Sequence, residues 1–542
     1  MLKARRVLNI IVALSILLGL TAWRIDFAYA QEEEPEKRQT TIIVSTTEHE
    51  WWLVRWAGNH VICQVFVNHE DAPTGEEIFS KCGEEIFEEW KETEACEQVG
   101  QKKGKLSECH GVYLLFIGTQ SGEREMVVDL PPPSVLVNLA GCQLAPPENI
   151  CSQLPTLVLT AEEPLPNENI TAIHAVIDGR TVTCEAAVCE IPLRPTPLQG
   201  VEIEFWAESS FGDSSEHFTA LVRVLDTGVS PTPVGGGWFV DIISSQWQGP
   251  QAESCARLWN AFPPVGNPPL WLSTPATEEL LATGRPYHYL AGRLIVNGLV
   301  SARDCPGDGL LPNGYANACG VEMARTMVEL WQNQFDPRIF QVAQETGLPA
   351  QLLKSLFAQE SQFWPGIFRV AREYGLGQMT DQGADTVLLW NESFFNQFCP
   401  LVLNEDACDR GYLRLDEPER AILRGALAVQ VNADCPECPN GIDLSEADFS
   451  IMIFAQTLLA NCSQVSRTVF NATDNSPGRV SAYEDLWQFT LANYHAGPGC
   501  LAFAIHTTQQ RREAMDWAHV STHFTPACQG AVDYVQLIAR YP

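Results

Sequence analysis

Basic side chains are scarce in this sequence: 34 Lys and Arg stand against 67 Asp and Glu among 542 residues, a formal charge of −33. Such a surface repels a phosphate backbone unless a local basic cluster offsets it. No run of Lys and Arg supplies one, so a nucleic-acid partner is excluded. The acidity reads instead as a well-solvated surface. Long apolar runs are equally rare, and beyond the first thirty residues none has the length or hydrophobicity to cross a membrane. No repeat of domain length recurs. Metal-ligand spacing is confined to Cys435-Pro-Glu-Cys438, which lacks a second ligand pair and a thioredoxin-like βαβ setting. Its expected state is therefore a structural disulfide, and no metal is implied.

What is present begins with an address. Lys3, Arg5 and Arg6 precede an apolar run from Val7 to about Trp23, and Ala28-Tyr29-Ala30 supplies small residues ahead of Gln31. That order is the signature of a secretory signal over residues 1–30, with an uncleaved N-terminal anchor as the alternative. Both readings export the chain, to the cell envelope or beyond it. The cysteine count of 18 fits an oxidising destination, where an even number reads as a disulfide set. Close pairs are the expected bridges: Cys142 with Cys151, Cys184 with Cys189, Cys305 with Cys319, Cys399 with Cys408, and Cys500 with Cys528. Asn169, Asn391, Asn461 and Asn471 each open an Asn-x-Ser/Thr triplet, for which chance is a sufficient account.

The length predicts several domains. Residues 31–143 alternate as an α+β or β-rich module, with strands at Thr41–Val44, Val61–Val67 and Val112–Ile117 and a Glu-rich helical stretch over Thr74–Thr93 that Gly75 and Gly83 weaken. Residues 144–228 give short strands at Thr156–Thr160, Ile173–Ile177, Val201–Ala207 and Phe218–Val224, with a hairpin signal at Asp178-Gly179. This is the spacing of an immunoglobulin-like β-sandwich. A Pro/Gly linker over 229–250 and a cap or brace over 251–329 lead to a mostly α domain, 330–542. Its expected helices are Val321–Gln334, Pro349–Phe363, Pro418–Gln430, Ser445–Ala460 and Tyr483–His495, with Ser445 and Asp448 as a capping box.

Leu353, Leu356, Phe357 and Glu360 recur at three- and four-residue steps, so Glu360 lies on the apolar face of its helix. Burial penalises a carboxylate and raises its pKa, and a carboxyl still protonated near neutral pH suits a general acid for glycosidic cleavage. Glu360-Ser361 is followed by Tyr374-Gly375-Leu376-Gly377-Gln378-Met379-Thr380, later by Ala492-Asn493-Tyr494-His495-Ala496-Gly497-Pro498-Gly499, and finally by Asp533-Tyr534-Val535.

In this order the four stretches resemble the soluble-lytic-transglycosylase catalytic domain of the goose-type lysozyme-like family, over about Phe335 to Pro542. The resemblance implies a lysozyme-like fold after the β-rich region. It also implies cleavage of the β-1,4 bond between N-acetylmuramic acid and N-acetylglucosamine in peptidoglycan, without metal or organic cofactor. By position it makes Glu360 the catalytic acid/base, with Ser361, Gln378, Met379, Tyr494, His495 and Tyr534 contacting substrate. Gly377 stands where the family has Met, and His495 where it has Asn. Two other readings are a hydrolytic muramidase, with Asp381 or Asp385 as the second carboxylate, and a non-catalytic envelope protein that binds glycan. The β modules are expected to bind wall or envelope components.

Overall fold

A computed structural model describes residues 37–93, 110–145, 149–228, 237–266, 268–367 and 373–540. The leader 1–30, residues 229–236 of the Pro/Gly linker, Pro146-Pro147, Cys96 and Cys109 lie outside the described residues. β-rich structure precedes a mostly helical region. The chain divides into two bodies, one running to Pro132 together with Pro164–Glu168, the other comprising Pro133–Glu163 and everything from Asn169.

In the first body, β1 (Gln39–Arg55) pairs antiparallel with β2 (His60–Val67) on one side and β3 (Val112–Asp129) on the other. The Glu-rich stretch forms two helices rather than one, α1 (Gly75–Cys82) and α2 (Glu84–Lys91). The break falls at Gly83, whose φ of +85° only glycine adopts without strain. Thr74 and Glu77 form a capping box at the start of α1. Ile78 then packs on Leu53, Val65, Val67 and Val112, and a Cys63–Cys82 disulfide ties the helix to β2.

The second body opens with two sheets around one core. β4 (Ser134–Ala140), β6 (Thr156–Glu162) and β9 (Val188–Pro192) form the smaller sheet. The larger runs in the order β5 (Ile150–Cys151), β12 (Trp238–Ile243), β11 (Phe218–Asp226), β10 (Val201–Ser209), β7 (Ile170–Ile177) and β8 (Arg180–Cys184). Alternate residues of the strands point inward: Val135 and Val137 from β4 and Leu157 and Leu159 from β6 meet Ile203, Phe205 and Ala207 from β10. The module limits expected at 143/144 and 229–250 are corrected here. β4 pairs with β6, and β12 completes the larger sheet beside β11, so the two-sheet unit claims residues on both sides of the expected range.

The helical region comprises α3 (Ser254–Trp259), α4 (His288–Val296), α5 (Ala318–Asn333), α6 (Asp336–Thr346), α7 (Ala350–Glu360), α8 (Asp381–Trp390), α9 (Glu392–Phe398), α10 (Glu417–Val431), α11 (Leu444–Thr473), α12 (Tyr483–Ala496), α13 (Pro498–Arg511) and α14 (Gly530–Ala539), with shorter turns between. α11 runs thirteen residues past its expected end at Ala460. Asn461, Cys462 and Gln464 look like a polar break in sequence, but they are buried within the helix, and Val465 and Val469 continue its apolar stripe. Its cap is Asp443, which accepts from Ser445 and Glu446 N–H, in place of the expected Ser445–Asp448 box. Trp259, Leu290 and Val328, from the expected brace, share one core with Leu356, Phe357 and Phe454.

The five close cysteine pairs are disulfides, as is Cys435–Cys438, so the CxxC holds no thiol for a metal. Cys255–Cys462, unexpected from spacing, pins α3 to α11 across 207 residues.

Candidate active site

The site is assembled from the end of one helix. α7 stops at Glu360 because Gln362 and Phe363 turn left-handed, with φ of +49° and +63°. Phe363 N–H reaches back to Phe357 O at 3.3 Å and closes the last turn in Schellman fashion. Neighbours hold this unfavourable backbone in place: Trp331 Nε1 donates to Phe363 O at 2.9 Å, and Tyr289 N–H donates to Gln362 Oε1 at 2.9 Å. Beneath the helix, Lys354 is fully buried. Its Nζ donates to Asp336 Oδ1 at 2.7 Å, Leu281 O at 2.6 Å and Asn333 Oδ1 at 2.8 Å.

Glu360 opens into a cleft of about 580 Å³ lined by α7, α8, α11, α12 and α14. Burial pushes its carboxyl up to about 7, the charge of Glu373 adds to the rise, and a hydrogen bond from Tyr534 acts against it. Tyr534 Oη donates to Glu360 Oε1 at 2.5 Å. The position at the negative end of the α7 dipole disfavours the carboxylate further.

The expected residues gather here with one exception. Gln378, Met379, Tyr494, His495 and Tyr534 line the cleft with Glu360. Ser361 does not: it is fully buried and donates to Leu376 O at 2.8 Å, which fastens the 374–379 loop to the end of α7. The loop is pinched shut by paired Tyr374 and Met379 backbones and clamped from α12, where Tyr494 Oη donates to Gly377 O at 2.5 Å. At Gly377 a Cβ would lie 2.4 Å from Phe454 Cδ1, so the ring fills the space a side chain would need. The exposed His495 ring stacks on that of Tyr534, centroids 4.2 Å apart, and partial desolvation lowers its pKa, favouring neutral imidazole.

Two acceptors on the cleft wall lack partners. Gln378 spends its Nε2 on Gly375 O at 2.6 Å, and Asn493 donates from Nδ2 to Asn461 Oδ1 and Gln464 Oε1, each at 2.7 Å. Gln378 Oε1 and Asn493 Oδ1 are buried and unbonded among the described residues. An unpaired buried acceptor is costly, which marks both as places for ligand N–H or O–H groups.

Asn493, Asn461 and Glu373 are the residues that sequence reasoning missed. Asn493 stood in the quoted Ala492–Gly499 run, and Asn461 was seen only as a glycosylation triplet. Its burial at 3% exposure rules out that use. Of the carboxylates weighed for hydrolysis, Asp385 is bound by Tyr412 and by Arg424, at 3.0 Å, and lines an adjoining hollow. Asp381 lines neither. Glu373 is the second carboxylate of the Glu360 cleft among the described residues.

No family model matches the chain. No curated protein matches it either. Among solved structures, a polysaccharide lyase aligns over 80% of this chain at 11% identity, with a TM-score of 0.15. The alignment spans 52% of that structure's length, and a score so low establishes no shared fold.

Proposed function

We propose that the helical region is a lysozyme-like lytic transglycosylase acting on peptidoglycan glycan strands, and that the two-sheet unit before it is an immunoglobulin-like module. The observation that carries this reading is Glu360: a half-buried carboxyl at a helix end, pushed up to about 7 and hydrogen-bonded by Tyr534 in an open cleft. An acid with a pKa near the working pH is suited both to give and to retake a proton.

Glu360 protonates the glycosidic oxygen, the C1–O bond breaks, and positive charge develops on the muramoyl ring. The resulting carboxylate then takes the proton of the C6 hydroxyl as that oxygen attacks C1. A 1,6-anhydro ring closes and Glu360 is again an acid. Gln378 Oε1 and Asn493 Oδ1 accept from sugar N–H and O–H groups. The Phe454 ring explains why Gly377 stands where the resembled family carries Met. The eight disulfides among the described residues fit an exported enzyme.

Glu373 favours a second reading, inverting hydrolysis, in which it activates water while Glu360 serves as acid. Digestion of purified peptidoglycan by the full chain, beside Glu360→Gln, separates the two by mass spectrometry. Products lighter by one water, absent with the variant, support the transglycosylase. Hydrated ends that vanish in both Glu360→Gln and Glu373→Gln support the hydrolase. Failure of the wild type to release anything from several wall types sinks the catalytic reading.

A further inference from the structure

The Glu360 cleft does not end at α8. Gln382 and Thr386 on α8 line both that cleft and an adjoining hollow of about 700 Å³, whose far wall includes Trp390. Trp390 also lines a third hollow, about 600 Å³, set where the larger sheet meets the helices. From Gln382 to Trp390 the helix advances about 12 Å. α8 therefore lines all three hollows, from the cleft that holds the acid to the one beside the sheet.

The third hollow is built from both parts of the second body. β11 contributes Thr219, the turn after β12 contributes Ser244, α3 contributes Arg257, α8 contributes Trp390, and α11 contributes Gln456. Its side chains are mainly hydroxyls, amides and a half-buried indole. Charge is confined to Arg257 and Glu392, both exposed, and Arg257 has no ion pair among the described residues. Its lining is cross-linked: Ser244 Oγ donates to Thr219 O at 2.7 Å, and Asn391 Nδ2 donates to Gln456 Oε1 at 2.7 Å. Neutral hydrogen-bonding groups beside an aromatic face suit a hydroxyl-rich polymer whose C–H faces pack on the ring, and a lone cation suits an occasional carboxylate along it.

We propose that this hollow is a distal saccharide-binding site, holding the same glycan strand that Glu360 cleaves and so giving the enzyme a preference for long strands. The proposal rests on the glycan-cleaving reading of the Glu360 cleft. Two contact sites on one strand raise its apparent affinity without any new contact at the acid.

The test is equilibrium binding of soluble peptidoglycan strands to the full chain, comparing tetrasaccharides with long strands. Thr219→Trp, which fills the hollow from an exposed strand position, and Arg257→Ala are measured beside the wild type, with thermal unfolding as the check on folding. Long strands are expected to bind about tenfold more tightly than tetrasaccharides, with either variant bringing that ratio close to one. A ratio that neither variant changes overturns the proposal. Binding of no glycan of any length overturns both the proposal and the functional reading beneath it. Length-dependent, variant-sensitive binding without cleavage by the wild type leaves the distal site standing and removes the catalytic assignment alone.

Discussion

At Glu360 the pKa is the outcome of opposed effects, and each can be shifted separately. Burial raises it, and the hydrogen bond from Tyr534 lowers it. Tyr534→Phe should therefore move the pKa upward. Activity that needs the protonated acid falls as pH rises through about 7 in the wild type, and this alkaline limb should shift to higher pH in the variant, with turnover lowered roughly tenfold. A pH–rate profile reads both changes, and an unmoved limb would show that Tyr534 does not touch the acid in solution. Glu360→Gln should lower turnover by about a thousandfold while leaving the melting temperature at or above the wild-type value, because it removes a half-buried ionisable group whose charge is disfavoured in the fold.

Stability carries the same sign. Burial raises Glu360 to about 7 and Glu253 to about 8, the latter beside the Tyr483 hydroxyl. Both carboxyls hold their protons more tightly in the folded chain than in the unfolded one. Their contribution is thus complete below an unfolded pKa near 4.5 and is lost as pH rises toward 8. Glu253→Gln should flatten the decline in melting temperature between pH 5 and pH 8, a comparison calorimetry makes directly.

At the scale of elements, α7 is held in place by a buried ion pair. Burial lowers the Lys354 pKa and raises that of Asp336, and their mutual attraction works against both shifts. Lys354→Met leaves Asp336 without its partner and should cost about 3 kcal/mol in denaturant unfolding. The double variant with Asp336→Asn should recover part of that loss. Equal losses in the single and double variants would refute the pairing. The 374–379 loop depends on a different fit. Gly377→Ala drives a methyl into Phe454, and Phe454→Leu should relieve it. A double-mutant cycle on stability measures that coupling, which independent sites would not show.

At the scale of the molecule, the residues expected to cap or brace the last domain share a core with the acid-bearing helix, and Cys255–Cys462 closes the longest described loop. In chain-entropy terms, closing 207 residues is worth about 5 kcal/mol. Cys255→Ala with Cys462→Ala should lower the unfolding midpoint of the helical region more than removing Cys500–Cys528, whose loop is 28 residues. The reverse order would indicate that local packing, not loop closure, governs the two bridges.

Local chemistry made much of this legible in sequence. The period of Leu353, Leu356, Phe357 and Glu360 placed the acid on an apolar face, Gly83 weakened the helix it divides, and close cysteines marked their own partners. These features act within a few residues of chain. Ser361 was legible as a neighbour of the acid, but not as a brace to Leu376, because sequence does not tell which way the chain turns after a helix end. The pairing of Asn493 with Asn461, the approach of Glu373 to Glu360, the union of β12 with β11 and the Cys255–Cys462 bridge join residues 32, 13, 12 to 22 and 207 apart. Tertiary packing alone decided them, since contacts between distant residues are selected by the shape of the whole core rather than by any local preference of the chain.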